Sequence, residues 1–245
     1  EGKVVVERLE GSVGRTTLSA AGALPLSIQP QATTTDALLA TLTGDLYDVA
    51  VAAAVAANPN PSTTEAPIAA GKGPLVLLAR ISGTLESPTY AADIEIGPGM
   101  VQARSDLAPV EDLQVRAHVE NGRIELRDFT GRYHGAAVTA NGNAPLALLT
   151  GGSATSDDTA TLTATAVGVT SAVLAPFVDA STISQVGGSL DAKLTLSSSS
   201  LNLEDLEGDV VLDRLNLTVA ELPVTQRMPT RVVARGGIAR IQSWA

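Results

Sequence analysis

The sequence predicts a mainly all-β protein: an antiparallel sheet built from hairpin repeats, whose apolar face is rolled up or left as a groove, with one or two short helices. Three observations predict it. Apolar and polar residues alternate with a period of two along most of the chain, as in strands with one buried face. Asn121-Gly122, inside the stretch 115–148, signals a two-residue hairpin turn. Residues 1–26 align without gaps to residues 121–146, so the strand unit occurs at least twice.

The elements follow in order. In the first copy, Gly2, Gly11, Gly22 and Pro25-Leu26 fall on Gly122, Gly131, Gly142 and Pro145-Leu146. "ATLT" at 40–43 recurs at 160–163, also 120 residues on. Residues 45–59 read as a helix with Asp45 as N-cap and Asn58-Pro59 as the stop. Within 81–97, Ile94 and Ile96 alternate with Asp93 and Glu95. The Asn121-Gly122 turn sets Val119 opposite Ile124, Ala117 opposite Leu126, His118 opposite Glu125 and Glu120 opposite Arg123, so one ribbon face is apolar and the other charged. Residues 159–167 alternate Thr with Ala and Leu. Residues 169–188 read as a second helix, with Val173, Leu174, Phe177 and Val178 at helical spacing, Pro176 kinking it and Gly187-Gly188 ending it. Strands resume with Leu190, Ala192, Leu194 and Leu196, and with Leu215, Leu217 and Val219. The Gly-, Pro- and Ser-rich runs 58–67, 150–159 and 197–200 read as turns or insertions, because the strand pattern continues across them. The chain is therefore one continuous repeat-built segment, 1–245, with units of about 1–120 and 121–240 that need not fold alone.

Composition narrows the functions. Hydrophobic residues make up 44% and aromatics only 2%, so apolar volume comes from Val, Leu, Ile and Ala. The net charge of −10, with no Lys/Arg cluster, argues against nucleic acid and against docking on anionic lipid. Cysteine is absent, which excludes a disulfide framework. No run of 18 apolar residues occurs, so no transmembrane segment is expected. The chain opens in strand register without a signal peptide, and is expected to be an excised piece of a longer protein.

The search for chemistry points away from an enzyme. His118 and His134 are the two histidines and lack metal-ligand spacing. His118 is expected on the polar hairpin face, and His134 in a turn with Gly135. No nucleophile elbow, phosphate loop, zinc-protease helix or calcium loop is present. The acidic pairs Glu111-Asp112, Asp157-Asp158 and Glu204-Asp205 read as solvated charge. Asn216-Leu217-Thr218 matches a glycosylation sequon but falls mid-strand. Trp244 is the sole tryptophan. No catalytic residue, metal or cofactor is expected.

Several segments resemble a known family. "ISGTLESPTYAADIEIGPGMVQA" (81–103), "LEGSVGRTTLSAAGALPLSI" (9–28), the stretch 112–148, "APFVDASTISQVGGSLDAKLTL" (175–196) and "LEDLEGDVVLDRLNLTVAELPVTQRMPTRVVARGGIARI" (203–241) resemble interior repeats of the TamB family. TamB is the inner-membrane-anchored subunit of the translocation and assembly module, within the AsmA-like group. The resemblance implies a β-taco, a long curled sheet with an apolar interior, in the periplasm of a two-membrane envelope. It implies phospholipid movement along the trough between inner and outer membranes, and an outer-membrane barrel partner met through regions outside this sequence.

Physical reasoning reaches the same expectation. A twisted sheet with one apolar face must bury that face or keep a groove. Roughly 14 strands at about 4.8 Å spacing give a trough about 65 Å long. Phospholipid acyl chains have no hydrogen bonds to satisfy and fit a channel of Val, Leu, Ile and Ala. The residues expected to line it are Val115, Ala117, Val119, Ile124, Leu126, Leu190, Leu194, Leu196, Leu215, Leu217 and Val219, with the helices packed into the same face. The alternative is a structural or interaction scaffold that assists outer-membrane protein assembly, with no lipid cargo.

Overall fold

The structure is a computed structural model that describes residues 2–26, 36–57, 68–149, 158–175, 179–200 and 202–243. Fifteen strands form one unclosed, curved antiparallel sheet. They are β1 (Lys3–Val13), β2 (Thr16–Pro25), β3 (Leu38–Asp45), β4 (Ala70–Lys72), β5 (Pro74–Gly83), β6 (Pro88–Gln102), β7 (Val110–Glu120) and β8 (Arg123–Tyr133). β9 (Ala136–Pro145), β10 (Ala160–Val169), β11 (Val186–Ser198), β12 (Leu206–Val219), β13 (Leu222–Thr225), β14 (Thr230–Arg235) and β15 (Ile238–Ser243) follow. Thirteen strands lie side by side in the order β1-β2-β3-β5-β6-β7-β8-β9-β10-β11-β12-β14-β15, while β4 pairs with β6 and β13 with β12. At about 4.8 Å per step the path is about 58 Å long.

The turns select this meander. Asn121 and Gly122 both take positive φ (51° and 73°), the conformation a two-residue hairpin needs and one that Asn and Gly adopt at low cost. The four expected pairs form: Val119–Ile124, Ala117–Leu126, His118–Glu125 and Glu120–Arg123. His134 sits with Gly135 in the next turn, with φ 50° and 81°.

The repeat is visible in the backbone. β8 and β9 begin and end 120 residues after β1 and β2. The β1–β2 ladder slips between Val6 and Leu9, and the β8–β9 ladder slips between Leu126 and Phe129, the same two positions 120 residues on. Beyond β9 the spacing changes. Thr17 pairs with Thr43, whereas its counterpart Ala137 pairs with Val167. The two "ATLT" runs therefore do not occupy equivalent ladder positions; the offset there is 124, set by the lengths of the intervening loops. A third copy also begins inside the chain. Gly236-Gly237, both at positive φ, replace Asn121-Gly122, so the β14–β15 hairpin repeats the β7–β8 hairpin. Each full copy supplies six strands to the path.

The helical elements are short, as expected, but the second is not where the spacing placed it. α1 (Leu46–Ala57) forms where predicted. Asp45 caps it: the Tyr47 N–H donates to Asp45 Oδ1 at 3.2 Å, and Arg15 lies 3.5 Å from Asp45 and 3.7 Å from Asp48. The Asn58-Pro59 stop lies outside the described residues. The second helix, 169–188, does not form. Val169 still belongs to β10 and Val186–Gly188 already belong to β11. Between them stand a 3₁₀ turn (Ser171–Leu174) and the one-turn α3 (Ala180–Ile183). A proline has no N–H to donate to a helical hydrogen bond, so the sequence itself disfavours an unbroken helix over 169–188. Pro176, Phe177 and Val178 lie outside the described residues, as does Trp244. Two more single turns, α2 (Leu146–Leu149) and the 3₁₀ turn Leu203–Asp205, complete the helical elements among the described residues.

The core is small. Leu46 of α1, Leu75 of β5 and Leu113 of β7 are buried together, with Val49, Leu77, Ile96, Val115 and Phe129 packed around them. The first turn of α1, with Leu46 and Val49, thus packs on the apolar face beside β3, β4 and β5 at one margin. Among the described residues, eight hydrophobic side chains in all are buried. The chain exposes 15,643 Å², against about 10,000 Å² for a compact monomer of its mass.

Candidate functional site

Directly opposed residues in a ladder point to the same face, so the pairings trace that face across the whole sheet. One row runs Gly11–Leu18–Leu42–Leu77–Ile94–Ala117–Leu126. It continues through Gly142–Leu162–Leu196–Gly208–Ala234–Ala239. All thirteen strands of the path contribute, and no position in the row is polar. One residue along, the facing row reads Glu10–Ser19–Thr41–Leu78–Asp93–His118–Glu125–Asn143–Thr161–Ser197–Glu207, polar at every position but Leu78.

All eleven residues expected to line a groove lie on the apolar face. Ala117, Leu126 and Leu196 are in the row just traced. Val115 and Leu194 belong to a parallel row, Leu75–Ile96–Val115–Phe129–Ala140–Ala164–Leu194–Val210–Val232–Ile241. Val119 pairs with Ile124, Leu190 with Leu215, Leu217 with Gly188 and Val219 with Val186. Their surroundings differ. Val115 packs against the cluster beneath α1, so protein already covers it. Ala117 and Leu215 are buried. Val119, Ile124, Leu126, Leu190, Leu194, Leu196 and Leu217 are half-buried, and Val219 is exposed.

The uncovered part of the face contains a cleft of about 360 Å³ in the second copy. Ile124, Leu126, Ala144, Leu162, Leu196 and Leu206 line it, from strands β8 to β12. Its floor is low because Gly142 has no side chain. A Cβ on Gly142 would lie 2.2 Å from the Thr161 carbonyl oxygen, so β10 can approach only a glycine there. Three cleft residues, Ile124, Leu126 and Leu196, were legible as groove residues. Ala144, Leu162 and Leu206 follow the same alternation and could have been named from it. Leu113, buried in the cluster with Leu46 and Leu75, was not.

The polar face has two larger hollows. One, of about 570 Å³, is bordered by His118, Arg123, Glu125, Arg127, Asn143 and Thr161. Its groups satisfy one another: His118 Nδ1 lies 2.7 Å from Asp93, Arg127 lies 3.2 Å from Glu125, and Asn143 donates to Thr161 at 2.9 Å. Among the described residues, the printed partners of His118 are the carboxylates Asp93 and Glu120, and no serine or threonine hydroxyl is hydrogen-bonded to it. No group of three or more metal-ligating side chains occurs among the described residues. The other hollow, of about 520 Å³, lies at β11–β15 beside Arg231, Arg235 and Arg240. Arg231 forms a fork to Asp209 that holds the Asp209 carboxyl below its ordinary range.

Chemically, the apolar face can exclude water from hydrocarbon. No helix among the described residues is long and apolar enough to cross a membrane. Comparison with known proteins returned no matching family model, no matching curated protein and no matching solved structure.

Proposed function

We propose that this chain is a periplasmic segment of a TamB-type, envelope-spanning lipid conduit, whose apolar trough shields phospholipid acyl chains in transit between inner and outer membranes. The observation that carries this reading is the unbroken apolar row, thirteen strands long and only partly covered by the chain's own helices. A protein that used this face as ordinary core would fill it with side chains. Among the described residues, eight buried hydrophobics are too few for that, and the sparse aromatics leave room rather than fill it. Each methylene moved from water to such a surface contributes about 0.8 kcal/mol, so a single acyl chain gains enough to bind without a shaped headgroup site. A row of similar residues gives similar affinity at each step, which favours sliding over trapping.

The test is direct. The purified chain is extracted with organic solvent and the extract analysed by mass spectrometry, then the delipidated chain is offered phospholipid vesicles. Co-purified phospholipid that is replenished from vesicles supports the conduit. A lipid-free chain that takes up none rejects it and leaves a scaffold.

A further inference from the structure

We propose that α1 is a gate on the apolar trough: its first turn takes the place of hydrocarbon in the first copy, and cargo moving along the sheet must displace it. This rests on the conduit reading above and concerns how passage through the same site is controlled.

The gated track can be followed residue by residue. The row Leu75–Ile96–Val115–Phe129–Ala140–Ala164–Leu194 crosses from the first copy into the second on one face. From Leu75 to Phe129 it belongs to the cluster that Leu46 and Val49 of α1 share with Leu113. From Ala140 onward, no residue of the row belongs to that cluster. A hydrocarbon chain following the row out of the second copy therefore meets the α1 cluster at Phe129.

The first copy is built to hold a helix there, and the second is not. The Tyr47 N–H donates to Asp45 Oδ1 at 3.2 Å, and the Leu46 N–H donates to the Gly73 carbonyl at 2.9 Å. Arg15, in the β1–β2 turn, lies 3.5 Å from Asp45 and 3.7 Å from Asp48. The ladder pairs Thr17–Thr43 and Ala137–Val167 carry Asp45 onto Val169, Leu46 onto Thr170 and Asp48 onto Ala172, with Arg15 onto Gly135. The cap, both ion pairs and the anchoring leucine are thus absent from the second copy. A 3₁₀ turn, Ser171–Leu174, stands in the helix's place, and Thr170 gives it no side-chain cap. A helix required simply to finish the core of each unit would recur with the unit. The hold on α1 is also slight: six of its twelve residues are alanine, and Leu46 and Val49 supply its part of the cluster. An acyl chain offers more apolar surface than those two side chains and competes with them for the same strands.

The test gives vesicles of dioleoylphosphatidylcholine to the delipidated chain, with a photo-reactive amino acid at Ile96 in the α1 cluster or at Leu162 in the open cleft. Lipid adducts are expected at Leu162 in every form. At Ile96 they are expected to rise about fivefold in Asp45→Ala, the effect of losing one helix cap, and to stay near the parent level in Asp45→Asn, which still caps. In the unsubstituted chain, vesicles are expected to speed hydrogen exchange of the α1 amides, which a merely structural helix would not show. Adducts at Leu162 without a rise at Ile96 in Asp45→Ala, or α1 exchange that vesicles leave unchanged, overturn the gate and leave the conduit standing. No adduct at either position overturns the conduit reading and the gate with it.

Discussion

Leu126 of β8 stands directly opposite Gly142 of β9 on the apolar face, a long side chain beside a position with none, and the pair shapes the 360 Å³ cleft. Ala144, next along β9 on the same face, borders that space. Ala144→Phe is expected to fill the cleft and lower bound phospholipid severalfold, with little change in the urea midpoint. Quantitative mass spectrometry of co-purified lipid checks it; unchanged loading would place the cargo elsewhere.

The glycine itself separates two kinds of backbone demand. Gly142→Ala puts a Cβ into the Thr161 carbonyl and is expected to cost well over about 1 kcal/mol, because backbone must move. Gly122→Ala meets no atom within 4 Å and carries only the positive-φ penalty, about 1 kcal/mol. Urea unfolding of the two variants gives the comparison, and equal losses would contradict the close approach of β9 and β10.

Much of this arrangement was legible in the sequence. The Asn121-Gly122 turn fixed four cross-strand pairs, and Asp45 was readable as a cap because the oxygen of its short side chain can reach the N–H two residues on. The alternation of Leu190, Leu194 and Leu196 put them on one face, since a strand's side-chain period is two. Other features were not legible, for physical reasons. The slip from 120 to 124 arises in loops, which carry no periodic signal. The third copy shares too few identities around Gly236-Gly237 to be found without the hairpin. The helix over 169–188 was overestimated because helical spacing of apolar residues does not reveal how far the two flanking strands, β10 and β11, extend into the segment. Which part of the face α1 covers depends on contacts between distant strands, so Leu113 was missed and Val115 was not separable from the open residues.

The covered margin yields its own test. Leu113 is 3% exposed and touches the α1 cluster. Leu113→Ala is expected to cost about 2–5 kcal/mol. Asp45→Ala removes the cap and is expected to cost about 0.5–2 kcal/mol. Chemical denaturation measures both; a Leu113 variant as stable as the parent would mean that α1 does not hold that margin closed.

Asp209 predicts a pH effect of definite sign. Hydrogen bonding from Arg231 lowers its pKa, and Arg231's own pKa is raised by the same contact. A depressed carboxyl adds stability above its unfolded pKa, about 3.9, and loses it as pH falls through the lower folded value. Parent and Asp209→Asn should therefore differ in urea midpoint above about pH 4 and converge in stronger acid, by a small amount because the pair is exposed. In parallel, Arg231→Gln should raise the Asp209 midpoint in an NMR titration. A midpoint that does not move would show that the fork is not formed in solution.

The central claim is that one face of this sheet meets hydrocarbon and the other meets water. A photo-reactive amino acid placed at Leu126, and separately at its neighbour Glu125 on the opposite face, tests it in cells that carry the protein in a two-membrane envelope. The account predicts phospholipid adducts from position 126 and none from position 125. Equal labelling at both positions, or protein adducts alone from position 126, would contradict it.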